Sequence, residues 1–395
     1  MPGACPLPPE PVAILAAGVV TPIGGDLDAF WTGLLTGADG ISVIERFPVN
    51  DLKVGRGGEI KKLPARDERG LRCRASSLLC AAADDLRARA TLDADRTRVG
   101  VVVGTALGGV EALEAAIADV PTLRAAAAGL YDSPAHALAR HLDARGPVLT
   151  VSTACASGAT ALGLAADLLR AGRADLIVAG GYDVLCRFVM RGFDALRSLM
   201  RDRVRPFDRR RSGLLLGEAA ALVLMARDAD GSRPRLGRLL GHASTSDATH
   251  IAAPDPEGRG LEHAIRLALA QADLDSGAVD FVSAHGTGTA LNDRTETAVL
   301  KRVLGQRATA VPVNSIKAGM GHTMGAAATL EAIMCLLAAR HGVIPHTLGF
   351  EEPDADCDLD YVPQAPRVAQ PRVSLSTSLG FGGCNAALVL EGTVQ

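Results

Sequence analysis

Cys155 stands in VSTACASGAT (151–160), between a β-branched run and a run of small residues. The chain holds eight cysteines, and a free cysteine is most often a small buried hydrophobe. What sets Cys155 apart is its place, where a strand turns into a helix. A helix start offers free N–H groups and partial positive charge, which favour the thiolate, and the thiolate is the nucleophile. Ala154, Ala156, Ser157 and Gly158 around it leave room for a substrate. Two histidines have similar settings. SAHGTGTALND puts His285 at the end of a strand before a Gly/Thr turn, and NSIKAGMGHTMGAAA puts His322 just before a small-residue helix. Lys317 lies in that second segment, which is otherwise uncharged. A buried lysine there needs an acidic partner. Glu218 is an acid in an apolar strand and is expected to satisfy local backbone donors.

The elements that must hold these residues are legible as apolar runs. Buried strands are expected at 12–20, 98–105, 147–153, 174–181, 218–226, 279–287, 310–315, 373–380 and 385–392. Their continuous hydrophobicity suits strands covered on both faces. Helical patterns lie between them, one from Cys155 to Gly172 and another from Gly321 to Gly342. The alternation implies a layered α/β fold. Three pairs of segments also resemble each other in the same order: 99–105 with 279–285, 156–169 with 324–337, and 213–225 with 380–392. Two like halves, 1–232 and 233–395, explain that order. On this alignment Thr323 is the counterpart of Cys155, so two helix starts facing each other across a dyad would bring Cys155 and His322 together.

Composition narrows the class. Hydrophobic residues make up 48% and charged residues 22%, with a formal charge of −3, so no nucleic acid and no anionic membrane is implied as partner. No stretch has the length of a membrane span, and the first residues lack a signal-peptide pattern. The cysteines show no CxxC spacing. They read as reduced thiols of a cytoplasmic protein, with neither disulfide frame nor metal site.

TACASG, AHGTGTALND, NSIKAGMGHTMGAA and LGFGGCN, with RPFDRRRSGLLLGEAAALVL (205–224), resemble the signatures of the β-ketoacyl-acyl carrier protein synthases, elongating Cys-His-His type (KAS I/II-like), over residues 12 to 391. The resemblance implies the thiolase fold, two pseudo-symmetric halves in α-β-α-β-α layers. It implies an acyl group held on Cys155 and a malonyl thioester decarboxylated beside it. His285 and His322, as neutral imidazoles, would donate to the developing enolate oxygen. Lys317 and Glu331 would form an ion pair beside the site. The N–H groups of Cys155 and Phe381 would form an oxyanion hole, with Phe381 gating the cysteine. Leu107, Thr287, Thr289, Phe381 and Gly382 would bind substrate. No cofactor is held permanently, since substrates arrive on the phosphopantetheine of acyl carrier protein. A homodimer is implied through the strand at 147–153, or a heterodimer with a related subunit.

Carrier proteins present an acidic helix, so a docking face is expected at Lys61, Lys62, Arg66, Arg69, Arg72, Arg74 and Arg205. The chain departs from the family in places. Residues 121–146 are short, Ser212 replaces an acid, GEAAA replaces a glycine-rich form, and Cys384 replaces a threonine. These departures leave fatty acid, polyene and type II polyketide pathways open. The alternatives are a chain-length partner subunit with little or no catalysis and a thiolase-like acyltransferase.

Overall fold

The computed structural model describes residues 10–63, 73–118, 123–228 and 234–393. The expected boundary between halves, at 232/233, falls outside the described residues. The ten-stranded central sheet takes five strands from the first part of the chain: β1 (Val12–Val20), β2 (Val99–Gly104), β3 (Val148–Val151), β4 (Leu176–Asp183) and β5 (Ala219–Arg227). Five come from the second: β6 (Gly237–Ser246), β7 (Phe281–Ser283), β8 (Val313–Asn314), β9 (Val373–Gly380) and β10 (Cys384–Gly392). They order as β3-β2-β4-β5-β1 and β8-β7-β9-β10-β6. The two orders are the same when β1 is matched to β6, β2 to β7, β3 to β8, β4 to β9 and β5 to β10. The directions match too. β2 is parallel to β3 and β4, and β5 is antiparallel to β4 and β1. β7 is parallel to β8 and β9, and β10 is antiparallel to β9 and β6. A short antiparallel contact joins the two sets, Val12–Ile14 of β1 with Gly237–Leu239 of β6.

Six helices complete the layers: α1 (Arg74–Arg87), α2 (Ser133–Leu142), α3 (Ser157–Arg170), α4 (Arg259–Gln271), α5 (Ala290–Leu304) and α6 (Ala327–His341). α3 and α6 lie in the middle and touch strands of both sets. All residues of α6 from Ala327 to Ala339 are buried, which is why its sequence is apolar on every side. α1 and α2 cover the outer face of the first sheet, where Leu78, Leu79 and Leu86 pack on Val101, Val103 and Leu222. α4 and α5 cover the second, where Leu261, Ile265 and Leu300 pack on Val282, Leu375 and Val389. The result is the α-β-α-β-α stack.

Two strands differ from expectation. β6 is absent from the apolar runs because its residues alternate between buried and half-buried along GRLLGHASTS, so polar side chains interrupt it. β3 is not covered on both sides. Among the described residues it pairs only with β2 and stands at the sheet edge, with Leu149 37% exposed.

Candidate active site

Cys155 sits in the turn from β3 into α3 and is buried. Ala154 before it takes a positive φ of 50°, an uncommon conformation for a residue with a Cβ. Ser157 holds this turn: its Oγ accepts from the Thr153 N–H at 2.9 Å and donates to the Ala154 carbonyl at 2.5 Å. The helix start does not by itself yield a thiolate here. Burial pushes the thiol up to about 12. The Lys317 charge and the Phe381 main-chain amide pull against it, while Asp183 adds to the rise. That corrects the expectation drawn from position alone, because desolvation outweighs the favourable groups.

His285 and His322 meet edge to face, with ring centroids 5.2 Å apart. Both are buried, and burial together with the Lys317 charge holds each well below the ordinary histidine range, so both are neutral. Both ring nitrogens of His322 and Nδ1 of His285 lack a hydrogen-bond partner among the described residues. Lys317 Nζ donates to the His285 carbonyl and pairs with Glu331, and both side chains of the pair are almost fully buried. Burial raises the Glu331 carboxyl and Lys317 lowers it, with burial prevailing.

Two further carboxylates escaped the sequence reading. Glu296 of α5, fully buried, accepts from the N–H groups of His285 (2.8 Å) and Gly286 (2.9 Å) and from the Thr377 hydroxyl (2.6 Å), which fixes the strand end that carries His285. Asp183, at the end of β4, accepts from the Thr105 hydroxyl (2.6 Å) and from the N–H groups of Ala106 (2.8 Å), Leu107 (3.0 Å) and Gly325 (2.7 Å). It ties the turn after β2 to the start of α6. A Cβ on Gly158 would come within 2.7 Å of the Gly325 carbonyl, so the close approach expected from the repeat is made with no side chain between. The signal available was an acid at the edge of an apolar run, GGYDVL and RTETAVL, which needs partners wherever it is buried.

A cavity of about 360 Å³ is lined by Cys155, His285, His322, Thr287, Thr289 and Phe381, among others. Thr287 and Thr289 share a hydroxyl hydrogen bond of 3.0 Å at its wall. Phe381 stacks on Phe193, with ring centroids 5.4 Å apart, a partner that the sequence reading did not name. Arg197 and His250, also unnamed, stand on the same wall.

Other expected residues lie elsewhere. Leu107 packs in a neighbouring apolar cluster with Met324 and Met190 and is not on the cavity wall. Gly382 (φ 80°) is one residue past Phe381, off the wall, with its N–H on the Ile251 carbonyl. Glu218 has the structural role expected of it, accepting from the N–H groups of Ile60 and Leu185, and it also takes the Arg74 guanidinium. Arg74 is therefore removed from the docking face, because its charge is spent inside the protein. Arg205 is likewise only 16% exposed and pairs with Asp202, and Lys61 pairs with Glu59 and Glu45. Lys62 is exposed, while Arg66, Arg69 and Arg72 lie outside the described residues. Cys384 is half-buried and off the cavity wall. The described residues contain no cluster of three or more metal-binding side chains and no helix long and apolar enough to cross a membrane.

The family model for the N-terminal domain of β-ketoacyl synthases matches residues 9–231, and that for the C-terminal domain matches 236–351. The chain is 37% identical over 413 residues to the tetracenomycin polyketide synthase ketoacyl synthase alpha subunit of Streptomyces glaucescens, covering 96% of each. It is 33% identical over 410 residues to 3-oxoacyl-[acyl-carrier-protein] synthase 2 of a Synechocystis strain, covering 96% of this chain and 97% of that one. The ishigamide ketosynthase/chain length factor structure superposes with a TM-score of 0.90 at 32% identity, covering 98% of this chain and 100% of that chain. The chain belongs to the β-ketoacyl synthase family and has its thiolase fold. It is accordingly an acyltransferase of the condensing kind.

Proposed function

We propose that this chain is a β-ketoacyl-acyl carrier protein synthase that condenses an acyl group on Cys155 with a malonyl thioester, in a fatty acid, polyene or type II polyketide pathway. The observation that carries the reading is one cavity walled by a buried thiol and two neutral imidazoles. In the first half-reaction the Cys155 sulfur attacks the carrier thioester. The acyl–sulfur bond to pantetheine breaks, and the proton lost by Cys155 ends on the departing pantetheine thiol. The N–H groups of Cys155 and Phe381 receive the oxyanion. In the second, the malonyl carboxylate leaves as CO₂ and its bonding electrons form an enolate. His285 and His322 donate N–H bonds to the enolate oxygen. The enolate carbon attacks the acyl-cysteine carbonyl. The Cys155 sulfur leaves as a thiolate and takes one proton from solvent, the proton that the half-reaction consumes overall, and the β-ketoacyl product stays on the carrier. Neutral imidazoles suit this step, since decarboxylation supplies the carbanion without a strong base.

The carrier protein brings both substrates on phosphopantetheine, so no resident cofactor enters the scheme. Thr287 and Thr289, both on the cavity wall, take the pantetheine amides in this reading. Docking falls to Lys62, Arg66, Arg69 and Arg72. β3, an edge strand of apolar and β-branched residues, is the surface for a homodimer or for a related subunit, and the protein works in the cytoplasm. The test is mass spectrometry after incubation with acyl carrier proteins of graded chain length. An acyl adduct on Cys155, released on adding malonyl carrier protein, is expected. Cys155→Ala is expected to take no adduct yet still decarboxylate malonyl carrier protein. An adduct on a folded Cys155→Ala protein would assign the nucleophile elsewhere.

A further inference from the structure

No side-chain hydrogen bond among the described residues orients His322, so its position is set by its main chain and packing. That main chain is part of a small ladder. The His322 N–H donates to the Leu215 carbonyl at 2.7 Å, and the Gly217 N–H donates to the His322 carbonyl at 3.0 Å. On the other edge of the same segment, the Gly58 N–H donates to the Leu216 carbonyl at 2.8 Å and the Glu218 N–H to the Gly58 carbonyl at 3.0 Å. A Cβ on Gly217 would fall 2.1 Å from the Met320 carbonyl, so the segment lies directly against the chain leading to His322. The ladder ends at Glu218, which has no exposed surface. Its carboxylate gathers four donors from three parts of the chain: the Ile60 N–H (2.9 Å), the Leu185 N–H (3.2 Å), and Nε (2.9 Å) and Nη2 of Arg74. Arg74 closes the arrangement by donating to the Ile60 carbonyl at 2.7 Å.

We infer that the Arg74–Glu218 pair positions His322, by pinning the segment 214–218 to which both main-chain groups of His322 are bonded. The inference rests on the proposed roles of Cys155 and His322. Cys155 hangs from a different support, the turn that Ser157 holds through the Thr153 N–H and the Ala154 carbonyl, so the pair governs one half-reaction and not the other.

The experiment compares wild type with Glu218→Gln and Arg74→Lys, the latter keeping the charge but losing the two-pronged contact. Malonyl carrier protein decarboxylation, acylation of Cys155 and amide hydrogen exchange are measured on each. Glu218→Gln is expected to lower kcat for decarboxylation at least tenfold with KM unchanged, and to leave the acylation rate within twofold. Exchange in a peptide spanning 316–326 rises while one spanning 157–170 stays as in wild type. Arg74→Lys shows the same selectivity with a smaller loss, and it carries the test alone if Glu218→Gln does not fold. Equal loss of both half-reactions, or uniform exchange across both peptides, overturns the inference. If wild type does not acylate Cys155, or His322→Ala decarboxylates normally, the proposed function fails instead. The exchange pattern then still decides whether the pair pins His322.

Discussion

Replacing Lys317 by methionine isolates the charge that the site is built around. Lys317 and Glu331 are 3% and 1% exposed, and Oε2 of Glu331 has no hydrogen-bond partner among the described residues. Without the ammonium the carboxylate has no nearby compensation, and it stays buried only by taking a proton. From an ordinary value of 4.5, neutralising it at pH 7 costs about 3.4 kcal/mol, at ~1.36 kcal/mol per pH unit, and because burial already raises the wild-type carboxyl this is the upper bound on the difference between variant and wild type. The lost hydrogen bond to the His285 carbonyl adds ~1 kcal/mol. The sum agrees with the ~3–5 kcal/mol typical of breaking a buried pair. The same reasoning fixes the pH dependence. In the variant the folded-state carboxyl is raised above its unfolded value, so its contribution is fully present below pH 4.5 and is lost as pH rises towards the folded value. At pH 5 neutralisation costs only ~0.7 kcal/mol, so the destabilisation should shrink from ~4.4 to ~1.7 kcal/mol. Urea unfolding followed by circular dichroism at the two pH values measures this, and adding Glu331→Gln should recover most of the loss at pH 7. A destabilisation that is the same at pH 5 and pH 7, or a double variant as unstable as the single one, would refute the argument.

His285→Ala and His322→Ala should each lower decarboxylation and condensation ~10²–10³-fold and disturb the first acyl transfer less; unchanged turnover removes that residue from the mechanism. The decarboxylation rate should show no histidine titration between pH 8 and pH 6, since both rings are held neutral well below the usual range; a rate falling through pH 6.5 would contradict their burial. A histidine kept neutral loses stability as pH falls below its unfolded value, so lowering pH below 6.5 should move the stability of His322→Ala relative to wild type upward by as much as ~1.4 kcal/mol per unit. Cys384→Thr should condense normally, because Cys384 is off the cavity wall; loss of condensation in the folded variant would reopen the thiolase-like reading. Reversing Arg69 and Arg72 to Glu should raise KM for carrier-borne substrate and leave activity on a short pantetheine thioester nearly unchanged; equal losses on both would make the run structural.

What the sequence shows of this molecule follows from the range of the interactions. β1, β4, β5 and β10 are continuous apolar runs because they are covered on both faces, and such a run is visible within ten residues. The turns holding Cys155, His285 and His322 are visible for the same reason, since a nucleophile or imidazole among glycines and alanines at a strand end is a local pattern. The signals fail where the deciding partner is far away. Arg74 follows a basic stretch and reads as one more surface charge, yet its partner is Glu218, 144 residues on. Arg205 and Lys61 differ, since their acidic partners Asp202, Glu59 and Glu45 lie close by in the sequence and the acids themselves are legible.

The thiol shows the limit from the other side. Its position at the head of α3 is a correct local reading, and the helix start does offer what position implies. Burial is a property of the whole assembly, here of α6, the GFGG turn and the His285 loop closing over it, and it raises the thiol to about 12. The resting site therefore holds a protonated sulfur beside a lysine that pulls its proton affinity down. Reactivity then depends on what the substrate changes when it enters. In the proposed mechanism, a thioester that places its carbonyl oxygen on the Cys155 and Phe381 amides gives the charge leaving the sulfur a place to settle. Acylation is then favoured only with a correctly seated carrier thioester, and the uncharged resting thiol is kept from water-borne electrophiles.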